Sequence, residues 1–329
     1  MTGDNHERQG KRVLLFGASG TIGRATAQAL VQRGHDVRCL LRAVGNRGLE
    51  DLPGIELREG DVCNPQTLRD IAFEGEGFDA VVSCLASRNG TPQDAWAVDY
   101  RAHGEILNCA RQMGVNRFVL LSAICVQKPL LAFQHAKLAF EAELQESGLR
   151  WSIVRPTAFF KSLSGQARRL RAGKPFLVFG DGQLTACKPI SDRDTANYLA
   201  DCLEDEALQD AILPIGGPGD AITPLEQGEM MFAAFGLKPR FRHVPVGMLD
   251  AIIGGLSLAG RVSSGAAAKA ELARIGRYYA TESMLVLDPA TGRYDAAATP
   301  SYGKDSLGDH YARLASGETG AHLRDHSVF

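Results

Sequence analysis

Near its start the chain runs Arg12-Val13-Leu14-Leu15-Phe16-Gly17-Ala18-Ser19-Gly20-Thr21-Ile22-Gly23. The first five of these residues form a nearly continuous apolar run, the pattern of a parallel strand buried on both faces. A glycine-rich turn follows with no spacer and opens a helical stretch that lasts to Arg33 and is closed by Gly34. Of the three glycines, one permits a tight turn, one lets backbone approach a pyrophosphate, and one allows the helix to pack closely on the strand. The helix start offers unpaired N–H groups and a positive dipole end to phosphate. Strand, turn and helix are in register, which is the context that separates a dinucleotide-binding motif from a purely structural turn.

Outward from this motif the chain alternates. Strand signals cover residues 37–41, 54–58, 78–85, 117–121 and 150–154, and long helix patterns cover about 95–113 and 135–146. Strands separated by helices of this length predict an α/β fold, a doubly wound parallel sheet of the Rossmann type with right-handed crossovers. After Arg155-Pro156 the rhythm breaks, and glycines and prolines become frequent. The expected division is a dinucleotide-binding domain over 11–158, with a returning strand near 211–217, and a smaller, mostly helical substrate lobe over 159–329. In that lobe Ser191-x-x-Asp194 resembles a capping box opening a helix to about 203, and further helices are expected over 224–235, 246–258 and 266–279. The tail from about 315 is polar and expected to be mobile.

The end of the second strand selects the cofactor. An NAD site usually carries a carboxylate there for the ribose 2′-hydroxyl; this chain has Leu40-Leu41-Arg42. A guanidinium pairs with a 2′-phosphate, so Arg42, with Arg24 as a second cation, predicts NADPH. Asp61, after Gly60, is either an acceptor for the adenine amino group with Val62 packed on the ring, or a turn former. Leu85 and Ala86 end the fourth strand where backbone passes the cofactor. The expected cofactor contacts are thus Gly17, Ser19, Gly20, Thr21, Ile22, Gly23, Arg24, Arg42, Asp61, Val62, Leu85 and Ala86.

Bulk properties exclude other classes. A formal net charge of −2 over 329 residues gives no reason to expect a nucleic-acid or anionic-membrane partner, although net charge says nothing about a local basic patch. The seven cysteines contain no C-x-x-C pair and no metal-ligand spacing, and an odd, scattered set fits reduced thiols in a cytoplasm. Residues 1–11 lack the apolar core of a signal peptide. The weakly charged run 251–260 is too short to span a bilayer, though it can lie on a membrane surface or cover a pocket.

The order of these landmarks resembles the short-chain dehydrogenase/reductase superfamily, extended or atypical branch: the glycine pattern, Gly60-Asp61, Ser122 after the fifth strand, Lys137 in the next helix, and Arg155-Pro156 after the sixth. One departure matters. The superfamily's Tyr-x-x-x-Lys pair reads Phe133-Gln134-His135-Ala136-Lys137, so the lysine is present and the phenol is missing. Carbonyl–alcohol chemistry needs an acid/base on oxygen, and Phe133 has no proton to move. Lys137 can still hold the nicotinamide ribose or donate a proton, and the resemblance makes Ser122 its catalytic companion. His135 points to another helix face and is as well explained as a structural residue.

A narrower resemblance covers nearly the whole chain. Ser122 to Pro129 running into Phe133 to Leu138, Tyr278 to Met284, and Ala298 to Gly303 are similar to the divinyl chlorophyllide 8-vinyl reductases. What this implies is NADPH-dependent reduction of the 8-vinyl group of a divinyl (proto)chlorophyllide to ethyl in (bacterio)chlorophyll biosynthesis. A conjugated vinyl group has no oxygen to protonate, in keeping with Phe133. The proton donor is then Lys137, a tyrosine of the second lobe, or bound water. For a tetrapyrrole pocket the candidates are Phe159, Phe160, Phe176, Met230, Met231, Phe232 and the segment 246–258, though ordinary core packing is the better reading of each, with Lys161, Arg168 or Lys188 for a propionate. Three other readings keep the same cofactor motif: an isoflavone-reductase-like enzyme for another conjugated small molecule, a non-catalytic NmrA-like NADP sensor, and a scaffold. The preferred pigment precursor and the oligomeric state stay open.

Overall fold

Seven strands, all parallel, form the central sheet. The computed structural model describes residues 10–43, 48–50, 52–88 and 90–318. In chain order β1 (Arg12–Phe16) leads to α1 (Thr21–Gln32), β2 (Asp36–Leu41) and β3 (Ile55–Glu59). A short α2 (Pro65–Thr67) runs into the π-helical segment Leu68–Phe73, followed by β4 (Ala80–Ser83). Next come α3 (Pro92–Ala95), the π-helical turn Trp96–Ala102, α4 (His103–Gln112), β5 (Arg117–Leu121), a 3₁₀ turn Ile124–Gln127, α5 (Ala132–Gln145) and β6 (Arg150–Pro156). The second half holds α6 (Phe160–Leu163), α7 (Ala167–Arg171), β7 (Phe176–Phe179), α8 (Asp192–Glu204), β8 (Ala211–Ile215), α9 (Pro224–Ala234) and β9 (Phe241–Val244). It ends with α10 (Val246–Ala259), α11 (Ser264–Thr281), β10 (Val286–Leu287), β11 (Tyr294–Asp295) and α12 (Leu307–Ser316).

Strand order is β3-β2-β1-β4-β5-β6-β8. The order reverses between β1 and β4, so a crevice opens beyond their carboxyl ends. Alternation along β1 fills both faces: Val13 and Leu15 join one core with α1 and α8, while Leu14 and Phe16 join the other with α4 and α5. The returning strand expected near 211–217 is β8, parallel to β6. Helix α8 also belongs with the sheet, because Ala196, Leu199, Ala200 and Leu203 sit in the α1-side core.

Three local expectations change. The single helix read over about 95–113 is interrupted by the π-turn Trp96–Ala102, which turns the polar Asp99 inward. No proline or glycine marks it in the sequence. The capping box at Ser191 is half formed. Ser191 Oγ accepts the Asp194 N–H at 2.9 Å, but the Asp194 carboxylate accepts the N–H groups of Lys304 and Asp305 instead. Finally, the polar tail read from about 315 starts too early, since α12 runs through Ser316 and buries Leu307, Tyr311 and Leu314 at helical spacing. Residues 319–329 lie outside the described residues. The lobe core joins these to Phe160, Phe176, Met231 and Phe232 around the paired β7 and β9.

Candidate active site

The glycine loop sits at the β1/β4 crossover. Gly17 has φ +84°, and a Cβ there would lie 2.6 Å from the Cys84 carbonyl. A Cβ on Gly23 would lie 2.2 Å from Gly17 O. The first glycine therefore makes the turn under β4 and the third seats α1 on the loop. Gly20, by contrast, is exposed and has no neighbour nearer than 3.4 Å to an added Cβ. It caps α1 with no side-chain bond, leaving the helix N–H groups for a ligand.

Charges gather at this end. Lys161 Nζ donates to Thr21 Oγ1 at 2.8 Å, placing a cation of α6 on the first turn of α1. Arg24 Nε is buried with no protein partner among the described residues. So is Asp192 Oδ1; burial pushes this carboxyl up to about 6, with Lys161 pulling the other way. A cavity of about 250 Å³ is lined by Ser19, Arg42, Ala43 and Arg88, with no carboxylate on its wall. Arg88 had no signal in the sequence, since it follows β4 rather than β2. Asp61 Oδ1 accepts the Cys63 N–H at 3.0 Å, the geometry of a turn former, and Val62 packs on the core below. A larger hollow, about 710 Å³, lies at the amino ends of β1, β4, β5 and β6 around Lys11, Asp79, Arg117 and Arg150, away from every residue nominated from the sequence.

Leu85 and Ala86 leave β4 toward α5. There Lys137, 8% exposed, holds its Nζ 3.1 Å from Asp99 Oδ1. The same oxygen accepts the Ser87 N–H at 3.3 Å. Asp99 Oδ2 is buried and has no partner among the described residues. The turn that carries Asp99 is pinned by His103. Its Nδ1 donates to Val98 O at 2.9 Å, so Nε2 accepts from Ser83 Oγ at 2.8 Å. Burial, reinforced by the Lys137 charge, pushes His103 down to about 4 and keeps it neutral. Asp99 and His103 carried no motif; only the packing reveals them.

The other nominated residues separate. Phe133 lies one helical turn before Lys137, against the cluster of Ile124, Leu131, Ile275 and Tyr278. His135 is exposed. The Ser122 hydroxyl donates to Glu141, which also pairs with Arg155, so its proton is committed to that buried network. Tyr278 OH is committed to the Cys125 and Lys128 carbonyls, whereas Tyr279 OH meets Cys125 Sγ at 3.9 Å. Of the pocket candidates, Phe160, Phe176, Met231 and Phe232 are lobe core. Lys188 donates to the Thr299 carbonyl, Lys161 serves Thr21, and Arg168 is exposed.

Residues 17–206 match the NAD(P)H-binding family. The chain is 49% identical over 317 residues to the divinyl chlorophyllide a 8-vinyl-reductase of Arabidopsis thaliana, covering 92% of this chain and 76% of that one. It is 49% identical over 332 residues to the enzyme of the same name from Oryza sativa subsp. indica, covering 96% and 82%. Both names carry the word chloroplastic. Among solved structures, the NADPH-dependent quinone oxidoreductase of Escherichia coli, complexed with NADPH, superposes with a TM-score of 0.67 at 16% identity, over 92% of this chain and 99% of that one. At that identity the likeness concerns the fold.

Proposed function

The chain belongs to the NAD(P)H-binding family and, within it, to the divinyl chlorophyllide a 8-vinyl-reductases, and from that premise we propose that it reduces the 8-vinyl group of a divinyl (proto)chlorophyllide to ethyl with NADPH. The observation that carries the reading is local. The residue one turn before the buried Lys137 is Phe133, packed on apolar side chains, so the site keeps a cation and carries no phenol at this position.

The residues present fit a dinucleotide. Gly20 leaves room above the start of α1, Arg24 Nε is buried without a partner among the described residues, and Arg42 and Arg88 flank the cavity beside Ser19. In this reading Gly17, Ser19, Gly20, Thr21, Ile22, Gly23 and Arg24 hold the pyrophosphate, Arg42 the 2′-phosphate, Asp61 and Val62 the adenine, and Leu85, Ala86 and Lys137 the nicotinamide end. When bound, the reduced nicotinamide supplies the hydride. Lys137 orients the ribose, and the apolar wall of Phe133 and Ile275 excludes water and seats the vinyl group. Ser122 acts through the Glu141–Arg155 network that fixes α5 rather than on substrate. We keep the division into a nucleotide-binding unit, 11–158, joined by α8 and β8, and a substrate lobe formed by the rest of the second half. The seven free thiols support a reducing compartment such as a cytoplasm.

A membrane contact is part of the proposal. No helix among the described residues is long and apolar enough to cross a bilayer. Yet α10 buries only Leu249, and the α10–α11 tip exposes Leu258 at 65% and Val262 at 92%. Between Asp250 and Glu271 the only ionisable residues are Arg261 and Lys269. An apolar tip with basic charge suits an anionic bilayer surface.

Incubation of the purified protein with NADPH and divinyl chlorophyllide or divinyl protochlorophyllide, read by chromatography and absorbance, tests the reading. Formation of the 8-ethyl pigment is expected. No product from either precursor would favour the isoflavone-reductase-like, sensor or scaffold reading.

A further inference from the structure

Asp99 is a charged group in a place where charge is costly. Its side chain is wholly buried, and only one of its two oxygens is occupied. Oδ1 takes the Lys137 ammonium at 3.1 Å and the Ser87 N–H at 3.3 Å, so one atom ties α5 to the strip that leaves β4. Oδ2 has no donor among the described residues. A buried carboxylate oxygen without a donor is destabilising, so such a group persists where a ligand or water completes it. The surrounding architecture holds it there. The π-turn Trp96–Ala102 turns Asp99 inward, and the Ser83–His103–Val98 bonds lock that turn to the end of β4. Extra-residue turns of this kind inside helices frequently mark functional sites.

We propose that Asp99 is the positioning residue of the Lys137 site: Oδ1 fixes the lysine and its charge, and Oδ2 accepts a hydrogen bond from a hydroxyl of the bound dinucleotide. The inference rests on the NADPH-dependent reading above. Asp99 is the only acid that pairs with Lys137 among the described residues. His103, on α4, is neutral above about 4 and adds no counter-charge. Cys125, on the 3₁₀ turn, is a buried thiol held in its neutral form. Glu141, one turn further along α5, is taken by Ser122 and Arg155. Removing the Asp99 charge therefore leaves Lys137 buried with no anion beside it among the described residues.

The test uses full-length protein without pigment. Asp99→Asn keeps the volume, removes the charge and replaces one acceptor by a donor. The pH dependence of Lys137 acylation, read by peptide mass spectrometry on cofactor-free protein, is expected to shift its midpoint down by about one unit or more. NADPH binding, followed by nucleotide fluorescence, is expected to weaken about tenfold. Asp99→Glu retains the charge and is expected to keep the midpoint within about half a unit while still weakening NADPH, because its oxygens are displaced. If Asp99→Asn does not fold, the Asp99→Glu pair of readings decides. An unmoved midpoint with wild-type NADPH affinity in either variant would overturn the proposal. So would a lowered melting temperature with neither reading changed, which is the signature of a purely structural acid. Neither measurement involves pigment, so failure here leaves the vinyl-reductase reading standing, and the reverse holds.

Discussion

Lys161 Nζ rests 2.8 Å from Thr21 Oγ1, so a cation from the segment after β6 closes over the first turn of the helix that faces phosphate. Sequence reading offered Lys161 to a substrate propionate; the fold carries it to the glycine loop. Lys161→Ala is expected to raise the NADPH dissociation constant about tenfold, near 1.4 kcal/mol, with turnover at saturating NADPH little changed. Unchanged affinity would return the lysine to the substrate side.

Arg42 and Arg88 share a cavity that no carboxylate lines. A 2′-phosphate there gains charge-assisted bonds of about 1.5–3 kcal/mol. Arg42→Glu is expected to weaken NADPH by at least tenfold and NADH far less, measured by titration of each nucleotide. Equal behaviour of the two nucleotides in the variant would contradict NADPH selection.

Lys137 is the buried cation of the site, and Phe133 the residue in the phenol position. Lys137→Ala is expected to cut kcat by about 10²-fold or more, in the range of a positioned proton-transfer or orienting group, with the circular dichroism of the folded protein retained. Phe133→Tyr is expected to give no gain and to raise KM, since a hydroxyl is forced against Ile275 and its neighbours. A wild-type rate for Lys137→Ala would remove the lysine from the mechanism.

His103 gives a pH prediction with a definite sign. Its folded value, about 4, lies below the ordinary value near 6.5. Between those pH values the unfolded chain binds a proton that the folded chain does not, so this residue makes stability fall as pH falls, by about 1.4 kcal/mol per unit across the window. Thermal melts at pH 7, 6 and 5 are expected to show a steeper loss for wild type than for His103→Gln. Parallel losses would show that His103 titrates normally.

The cofactor half of the site was legible because its signals are local. The run from Arg12 to Gly23 carries strand, turn and helix in twelve residues, and the parallel sheet follows from the spacing of the later strands. The substituted phenol at Phe133 was legible for the same reason. Asp99 and His103 were not, because a π-turn leaves no mark in a helical pattern and both residues act through contacts with β4 and α5. Nothing in the sequence pairs Lys161 with Thr21, because the two lie 140 residues apart in the chain. The lobe aromatics Phe160, Phe176 and Phe232 were ambiguous from composition alone, and their burial in the α9–α12 core resolves them as packing.

In this reading the nicotinamide delivers a hydride to a vinyl carbon at a site with no phenolic acid at the usual position. NADPH deuterated at the transferred position, incubated in ordinary water with the protein and divinyl chlorophyllide, tests it most directly, with the product read by mass spectrometry and NMR. One deuterium in the new ethyl group and none in the macrocycle is the predicted result. An unlabelled ethyl group, or label in the ring, would contradict direct transfer from this site.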